Sequence, residues 1–342
     1  MRRAVGLLIL TCIAGAFLGI GQAVAQEGIL QAPHTFLEPL GPIAEEQRTH
    51  FIQVLLWTGV ALLPVYLLTP IILLRYRRRG GATYKPKWEF SWGLEICIWG
   101  LPIVIVAALS VQLWDYTQRL DPYKALPGDP VCVQAVGLDW KWLFIYPDEG
   151  IATVGELAIP VDRPVSMALT TDTVMQSLRI SALTGQIYAM PGMRTAMNFK
   201  ASEEGDTRGE NTQYNGPGFP EQRFTVRAIP VDQWNSWIAQ VRSEGLPLSD
   251  ENYARLGIRA SQADTAEEMG ITNGGPIYFN EVDPILFFRI MNRYHTGAAL
   301  DLAQQPGSFS YDPASAQLPA EPMKMQGSGA EGCGNTGQHT HG

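Results

Sequence analysis

Three stretches of the sequence hold side chains that could do chemistry. The first is WGLEICIW, where Glu95 is the one charge in the apolar run 93–114. A carboxylate inside such a run costs roughly 3 kcal/mol unless it faces protein or water, which makes Glu95 a candidate for holding or passing a proton. Glu95 also lies near the start of the run, so a second reading stays open. There it would reach the membrane surface beside a helix N-terminus, where negative charge is favourable.

The second stretch is ENTQYNGPGFPEQ, residues 210–222, rich in amides and turn formers. Amides hydrogen-bond in both directions but are weak ligands for soft metals. Residues 133–294 contain neither His nor Cys, so no folding of that part can assemble a thiolate and imidazole copper site. The loop reads as structural, closed by Gly216, Pro217 and Gly218, with its amides bonded to nearby backbone. A plain solvated loop is the alternative. The third stretch is the terminal QHTHG, where His339 and His341 with Cys333 could ligate a metal. Ordering a flexible tail opposes that, and incidental composition is the simpler reading.

The elements that would position these groups follow from composition. Of 342 residues, 46% are hydrophobic and only 17% charged, which leans toward a membrane protein. Residues 1–25 have the charged start, apolar middle and Ala23-Val24-Ala25 end of a signal peptide cleaved before Gln26, with lipidation at Cys12 as the rival reading. A short N-terminal periplasmic segment, 26–50, follows. The runs 51–74 and 93–114 are long and apolar enough for two transmembrane helices. Between them, Arg75, Arg77, Arg78, Arg79, Lys85 and Lys87 place the connecting loop in the cytoplasm, so both mature termini face the periplasm. From Asp115 onward, 16 Lys and Arg stand against 27 Asp and Glu, a difference of −11 that argues against nucleic-acid binding. Cys132 reads as a small buried hydrophobe.

After the linker DPYKALPGDP the pattern changes to short apolar or alternating segments separated by Gly, Pro and Asp, the mark of an all-β sandwich, placed at 127–230. In RFTVRAI, Phe224, Val226 and Ala228 share one face. Residues 231–303 read as a helical C-terminal region. VDQWNSWIAQVRSEG has Asp232 as its N-cap, and DPILFFRIMNRY has Asp283 as cap with Pro284 at the first helical position. The Gly, Ser, Pro and Gln content of 304–342 predicts a disordered tail.

Two apolar helices followed by an outer sandwich resemble subunit II of the haem-copper respiratory oxidases. GLDWKWLFIYPDEGIATVGELAIP resembles the aromatic strand of that family, and TDTVMQSLRISALTGQIYAMPGM the segment after it. QIYAMPGM and YNGPGF look most like the ubiquinol oxidase branch, the cytochrome bo type, and the resemblance runs over residues 36–294. It implies a membrane-anchored mixed fold: a two-helix transmembrane hairpin plus a periplasmic cupredoxin-like β-sandwich with C-terminal helices.

The same resemblance implies roles for residues. The cytochrome c oxidases of this family hold a dinuclear copper centre, CuA, through side chains whose positions here are Gln176, Asn211, Asn215, Phe219 and Gln222, with a backbone carbonyl at Gln213. Every side-chain ligand is missing, so these are degenerate copper-site positions, and no metal is expected in this chain. Trp140 stands where those oxidases are thought to receive electrons; with copper absent, Trp140 and Trp142 read as docking or core aromatics. LEICIW matches the family segment whose glutamate lies at the mouth of a proton path, which tips Glu95 toward proton uptake. The implied function is subunit II of a proton-translocating ubiquinol oxidase that oxidises ubiquinol and reduces dioxygen to water. This subunit would itself be non-catalytic. Its partners would be a subunit I bearing the haems and copper, further membrane subunits, the lipid bilayer of a bacterial inner membrane and ubiquinol, with no cytochrome c and no nucleic acid. The alternative is a free-standing membrane-anchored periplasmic binding or sensor module.

Overall fold

The computed structural model describes residues 34–77, 90–271, 274–297 and 299–320. The expected signal peptide with Cys12, most of the basic loop and the tail residues Cys333, His339 and His341 lie outside the described residues. The chain divides into a helical unit, Glu45–Lys124, and a second unit containing the β-sheets.

Helices α1 (Pro42–Arg75) and α2 (Trp92–Arg119) are both long and apolar enough to cross a membrane. Each is longer than the expected 51–74 and 93–114, because the polar turns flanking the apolar runs continue the helical hydrogen bonding. At 1.5 Å per residue, α1 extends roughly 50 Å, more than a bilayer core needs. Most of their Leu, Ile and Val side chains are exposed, and such a surface requires lipid or partner helices. The two helices are clasped by polar groups: Gln53 Oε1 accepts from the Gln112 amide and, at 3.3 Å, from the Tyr116 hydroxyl. The His50 and Tyr116 rings lie 4.3 Å apart. Helices in lipid gain little from burying apolar area against each other, so such contacts carry much of the pairing.

The second unit is built on two sheets. Strands β1 (Val131–Leu138), β2 (Lys141–Tyr146), β3 (Ile151–Val154), β5 (Pro164–Thr171), β8 (Thr195–Lys200), β11 (Leu246–Leu248) and β12 (Ile277–Val282) form one, in the order β11-β12-β3-β2-β1-β5-β8. Strands β4 (Glu156–Pro160), β6 (Gln176–Ile180), β7 (Gln186–Ala189), β9 (Gly205–Asn211) and β10 (Arg223–Ile229) form the other, in the order β4-β10-β9-β6-β7. Alternation along β2 sends Trp142, Phe144 and Tyr146 into one core, with Phe224 and Val226 of β10. Leu143 and Ile145 point into a second core on the far face.

That second core is closed by the C-terminal region. Helices α3 (Val231–Glu244), α4 (Asp250–Leu256), α5 (Gln262–Glu268) and α6 (Leu286–Asn292) alternate there with β11 and β12. Residues 231–303 are therefore not purely helical, and the sheet extends past 230, because β12 pairs with β3 across a long sequence separation. On α3, Trp234, Trp237, Ile238 and Val241 repeat at helical spacing and are buried in the first core.

Several local expectations are corrected. Pro230, not Asp232, occupies the cap position of α3, since its fixed φ turns the chain out of β10 and into the helix. Helix α6 starts at Leu286, with Asp283 accepting from the Ile285 N–H instead of capping directly. Cys132 is half-buried and disulfide-bonded, not a lone hydrophobe. Residues 304–320 are held in place: Arg293 donates to Gln304 O at 2.8 Å, the Tyr311 hydroxyl to Ala254 O at 2.8 Å and Arg289 Nε to Pro319 O at 2.8 Å, while Leu318 is buried. The N-terminal segment packs as well, with Leu40 in the first core and its N–H bonded to Ala182 O.

Candidate functional site

At one end of the sandwich, four amide side chains distant in sequence meet. Gln176 opens β6, Asn211 closes β9, and Asn215 and Gln222 lie on the loop between β9 and β10; all four are buried. Gln222 is the hub. Its Oε1 accepts from Asn211 Nδ2 at 2.9 Å and from Asn215 Nδ2 at 2.7 Å. Its Nε2 donates to Gln176 Oε1 at 2.6 Å, to Leu138 O at 3.0 Å and to Lys141 O at 3.3 Å. Gln176 Nε2 in turn donates to Leu138 O and to Thr173 Oγ1, both at 3.1 Å. Asn211 Oδ1 accepts the backbone N–H groups of Ser177 and Gln213, each at 3.0 Å. Gly137 makes the space: a Cβ there would come within 2.5 Å of Gln176 Oε1.

Gln213 and Phe219 stand apart from this cluster. Gln213 contributes its backbone, its carbonyl accepting from Asn211 Nδ2 at 2.8 Å. Phe219 begins a short 3-10 turn, Phe219–Glu221, and its ring lies 5.8 Å from that of Tyr214. The donor set does not suit a copper centre. It offers neutral amides already bonded to one another, and there is neither thiolate nor imidazole among them.

Trp140 sits beside the cluster and Trp142 does not. The Trp140 Nε1 donates to Asn215 O at 3.4 Å, and its ring lies against Gly218, where a Cβ would meet Cδ2 at 2.2 Å. Its other neighbour is Arg259, whose guanidinium carbon lies 5.2 Å from the Trp140 ring and 4.6 Å from that of Phe309. These residues, with Pro217, Ile258, Ser308 and Tyr311, line a surface cleft of about 330 Å³. Trp142 is buried in the inter-sheet core.

Buried charged groups that the sequence did not single out underpin this region. The Lys141 ammonium is buried and donates to three carbonyls, Asp139 O at 3.1 Å, Ile258 O at 2.9 Å and Ala260 O at 3.0 Å. Burial pushes its pKa down to about 7, against the pull of Asp139. Burial also raises the Asp139 carboxyl, which the Arg259 guanidinium opposes from 3.4 Å. Asp172 is fully buried, paired with Arg293 at 3.3 Å and accepting from the hydroxyls of Tyr253 at 2.7 Å and Tyr294 at 2.9 Å. These pairs tie the C-terminal region to the sandwich. The signal for Lys141 was present as a lone cation in the apolar strand KWLFIY, but two of its three carbonyl partners, Ile258 O and Ala260 O, lie over 100 residues away.

Glu95 belongs to the helical unit. It lies in the first turn of α2, half-buried, and its Oε2 accepts from Trp99 Nε1 at 3.1 Å. Among the described residues, no group of three or more His, Cys, Asp or Glu is arranged to hold a metal ion.

Comparison with known proteins finds several similar sequences. The chain is 37% identical over 270 residues to ubiquinol oxidase subunit 2 of Acetobacter aceti, spanning 78% of this chain and 84% of that protein. It is 39% identical over 269 residues to cytochrome bo(3) ubiquinol oxidase subunit 2 of Pseudomonas aeruginosa, spanning 78% of each. Quinol oxidase subunit 2 of Bacillus spizizenii is 38% identical over 228 residues, covering 64% of this chain and 70% of that one. Among solved structures, the periplasmic domain of cytochrome oxidase subunit II from Bradyrhizobium japonicum matches 33% of this chain and 94% of its own length, at 22% identity and a TM-score of 0.32. No protein-family model matches the chain.

Proposed function

The chain belongs to the ubiquinol oxidase subunit 2 family of the haem-copper oxidases, and we propose that it serves a proton-translocating complex as a subunit with no CuA centre and no catalytic group of its own. The complex oxidises ubiquinol and reduces dioxygen to water, with the haems and copper in a partner subunit I. The observation that carries the reading is the amide cluster. At the positions where the copper-bearing branch has ligands, Gln176, Asn211, Asn215 and Gln222 bond to one another and to backbone carbonyls. Quinol is membrane-soluble, so its electrons need no metal on the outer domain. The chain is membrane-anchored; we place it in a bacterial inner membrane as a two-pass protein with both mature termini in the periplasm, a topology supported by the basic residues 75–87 between the helices.

Glu95 is proposed as the proton-uptake residue on the cytoplasmic side. A carboxyl group can accept a proton from water and release it to an internal chain, and its hydrogen bond from Trp99 orients one of its oxygens. The names of the relatives weigh against a free-standing sensor module. The copper-free reading is tested by metal analysis of the purified chain after growth with copper. The expected result is no stoichiometric copper and no thiolate-to-copper absorption; a stoichiometric copper centre with that absorption overturns it.

A further inference from the structure

Arg259 is the only charged side chain lining the cleft beside Trp140, and its guanidinium is under-used. A guanidinium carries several N–H donors in one plane. Among the described residues Arg259 donates no hydrogen bond: its Nε lies 3.4 Å from Asp139 Oδ2, close enough to pair the charges, yet that buried nitrogen has no hydrogen-bond partner. Gly216 leaves room for Nη2, since a Cβ there would come within 3.0 Å of it. A buried donor left unmet is costly, so the cleft gains from any acceptor that reaches it.

The aromatic residues hold the guanidinium still. Its carbon lies 5.2 Å from the Trp140 ring and 4.6 Å from the Phe309 ring, and stacking of this kind uses the face of the group while leaving its N–H edge for a ligand. Phe309 is 98% exposed, although the turn that carries it is tied down. The Ser308 N–H bonds Gln305 O at 3.1 Å, and the Tyr311 hydroxyl bonds Ala254 O at 2.8 Å. An apolar ring held out in water gains by being covered, and a wall that is already ordered lowers the cost of binding against it.

Size and charge narrow the ligand. A cleft of about 330 Å³ is at the small end of small-molecule sites, which run from roughly 300 to 1,000 Å³, so it suits a single substituted ring and not a peptide strand. A planar N–H edge matches a carboxylate best. The net −11 of the chain from Asp115 onward opposes anions at long range, but that field is screened beyond about 10 Å, and a small monoanion meets Arg259 inside that distance.

We propose that this cleft binds a small carboxylate carried on a flat apolar ring, with the Arg259 N–H edge taking the carboxylate and Trp140 and Phe309 taking the ring. The site does not depend on the reaction assigned to the complex.

Calorimetric titration of the full-length chain in detergent tests it, with benzoate as the probe, benzamide as its uncharged counterpart and acetate as the anion without a ring. Saturable, stoichiometric binding of benzoate is expected, at least about tenfold tighter than that of either comparison compound. Arg259→Gln should weaken benzoate by about tenfold and leave benzamide unchanged, with Arg259→Lys between the two. Phe309→Ala should weaken benzoate several-fold without altering thermal melting, because that ring is exposed and supports no core, so this variant decides the matter even if Arg259→Gln fails to fold. No saturable binding of benzoate, equal binding of benzamide or acetate, or undiminished binding of benzoate by Phe309→Ala or by a folded Arg259→Gln overturns the proposal.

Discussion

Gln222 Nε2 donates a 2.6 Å hydrogen bond to Gln176 Oε1, joining two buried side chains 46 residues apart in sequence. Both are among the positions proposed as degenerate copper-ligand sites. Here each amide completes the other, and Leu138 O accepts from both. The first expectation follows directly. Gln222→Leu strips Asn215 Nδ2 and Gln176 Oε1 of partners in a buried site, at about 1–3 kcal/mol for each orphaned group, so unfolding free energy should fall by roughly 2–6 kcal/mol. Denaturant titration of the solubilised chain measures it, and an unchanged midpoint would mean the network contributes nothing.

Gly218 lies so close to the Trp140 ring that a Cβ would meet Cδ2 at 2.2 Å. Gly218→Ala should displace the indole, alter the tryptophan emission and cost about 1–3 kcal/mol, as overpacking typically does. Wild-type emission and melting in the variant would show that the loop yields freely.

Lys141 gives a pH signature. Burial lowers its folded pKa to about 7 from an ordinary 10.5, so between those values the unfolded chain binds the extra proton. Stability should therefore rise as pH increases from 7 toward 10, and Lys141→Met should flatten that rise. A wild-type stability that is level or falling across this window contradicts the assignment.

Replacing Glu95 tests the proton path. Glu95→Ala and Glu95→Gln should both assemble with normal haem content yet turn over more slowly, and Glu95→Asp should recover part of the rate by keeping a carboxyl on a shorter arm. Turnover of Glu95→Ala equal to wild type across pH would reduce Glu95 to an interfacial charge.

The parts of this fold that follow local rules were legible in the sequence. The alternation in RFTVRAI puts Phe224, Val226 and Ala228 inside, as the burial of β10 shows. The β12 segment IYFNEV was not legible, because what makes it a strand is pairing with β3, more than 100 residues earlier. Residues 304–320 have a composition that predicts disorder, yet their anchors are supplied by Arg289, Arg293 and Ala254. The amides of the site could be read from the loop, but their closure into a network depends on Leu138 O and Lys141 O, which no loop motif specifies.

The central claim concerns the source of electrons, and oxygen uptake by the purified complex containing this chain tests it most directly. With ubiquinol as donor, uptake should be rapid and coupled to outward proton movement; with reduced cytochrome c, in a preparation free of other oxidases, it should stay at background. Sustained oxygen uptake with reduced cytochrome c, or none with ubiquinol, would contradict the account.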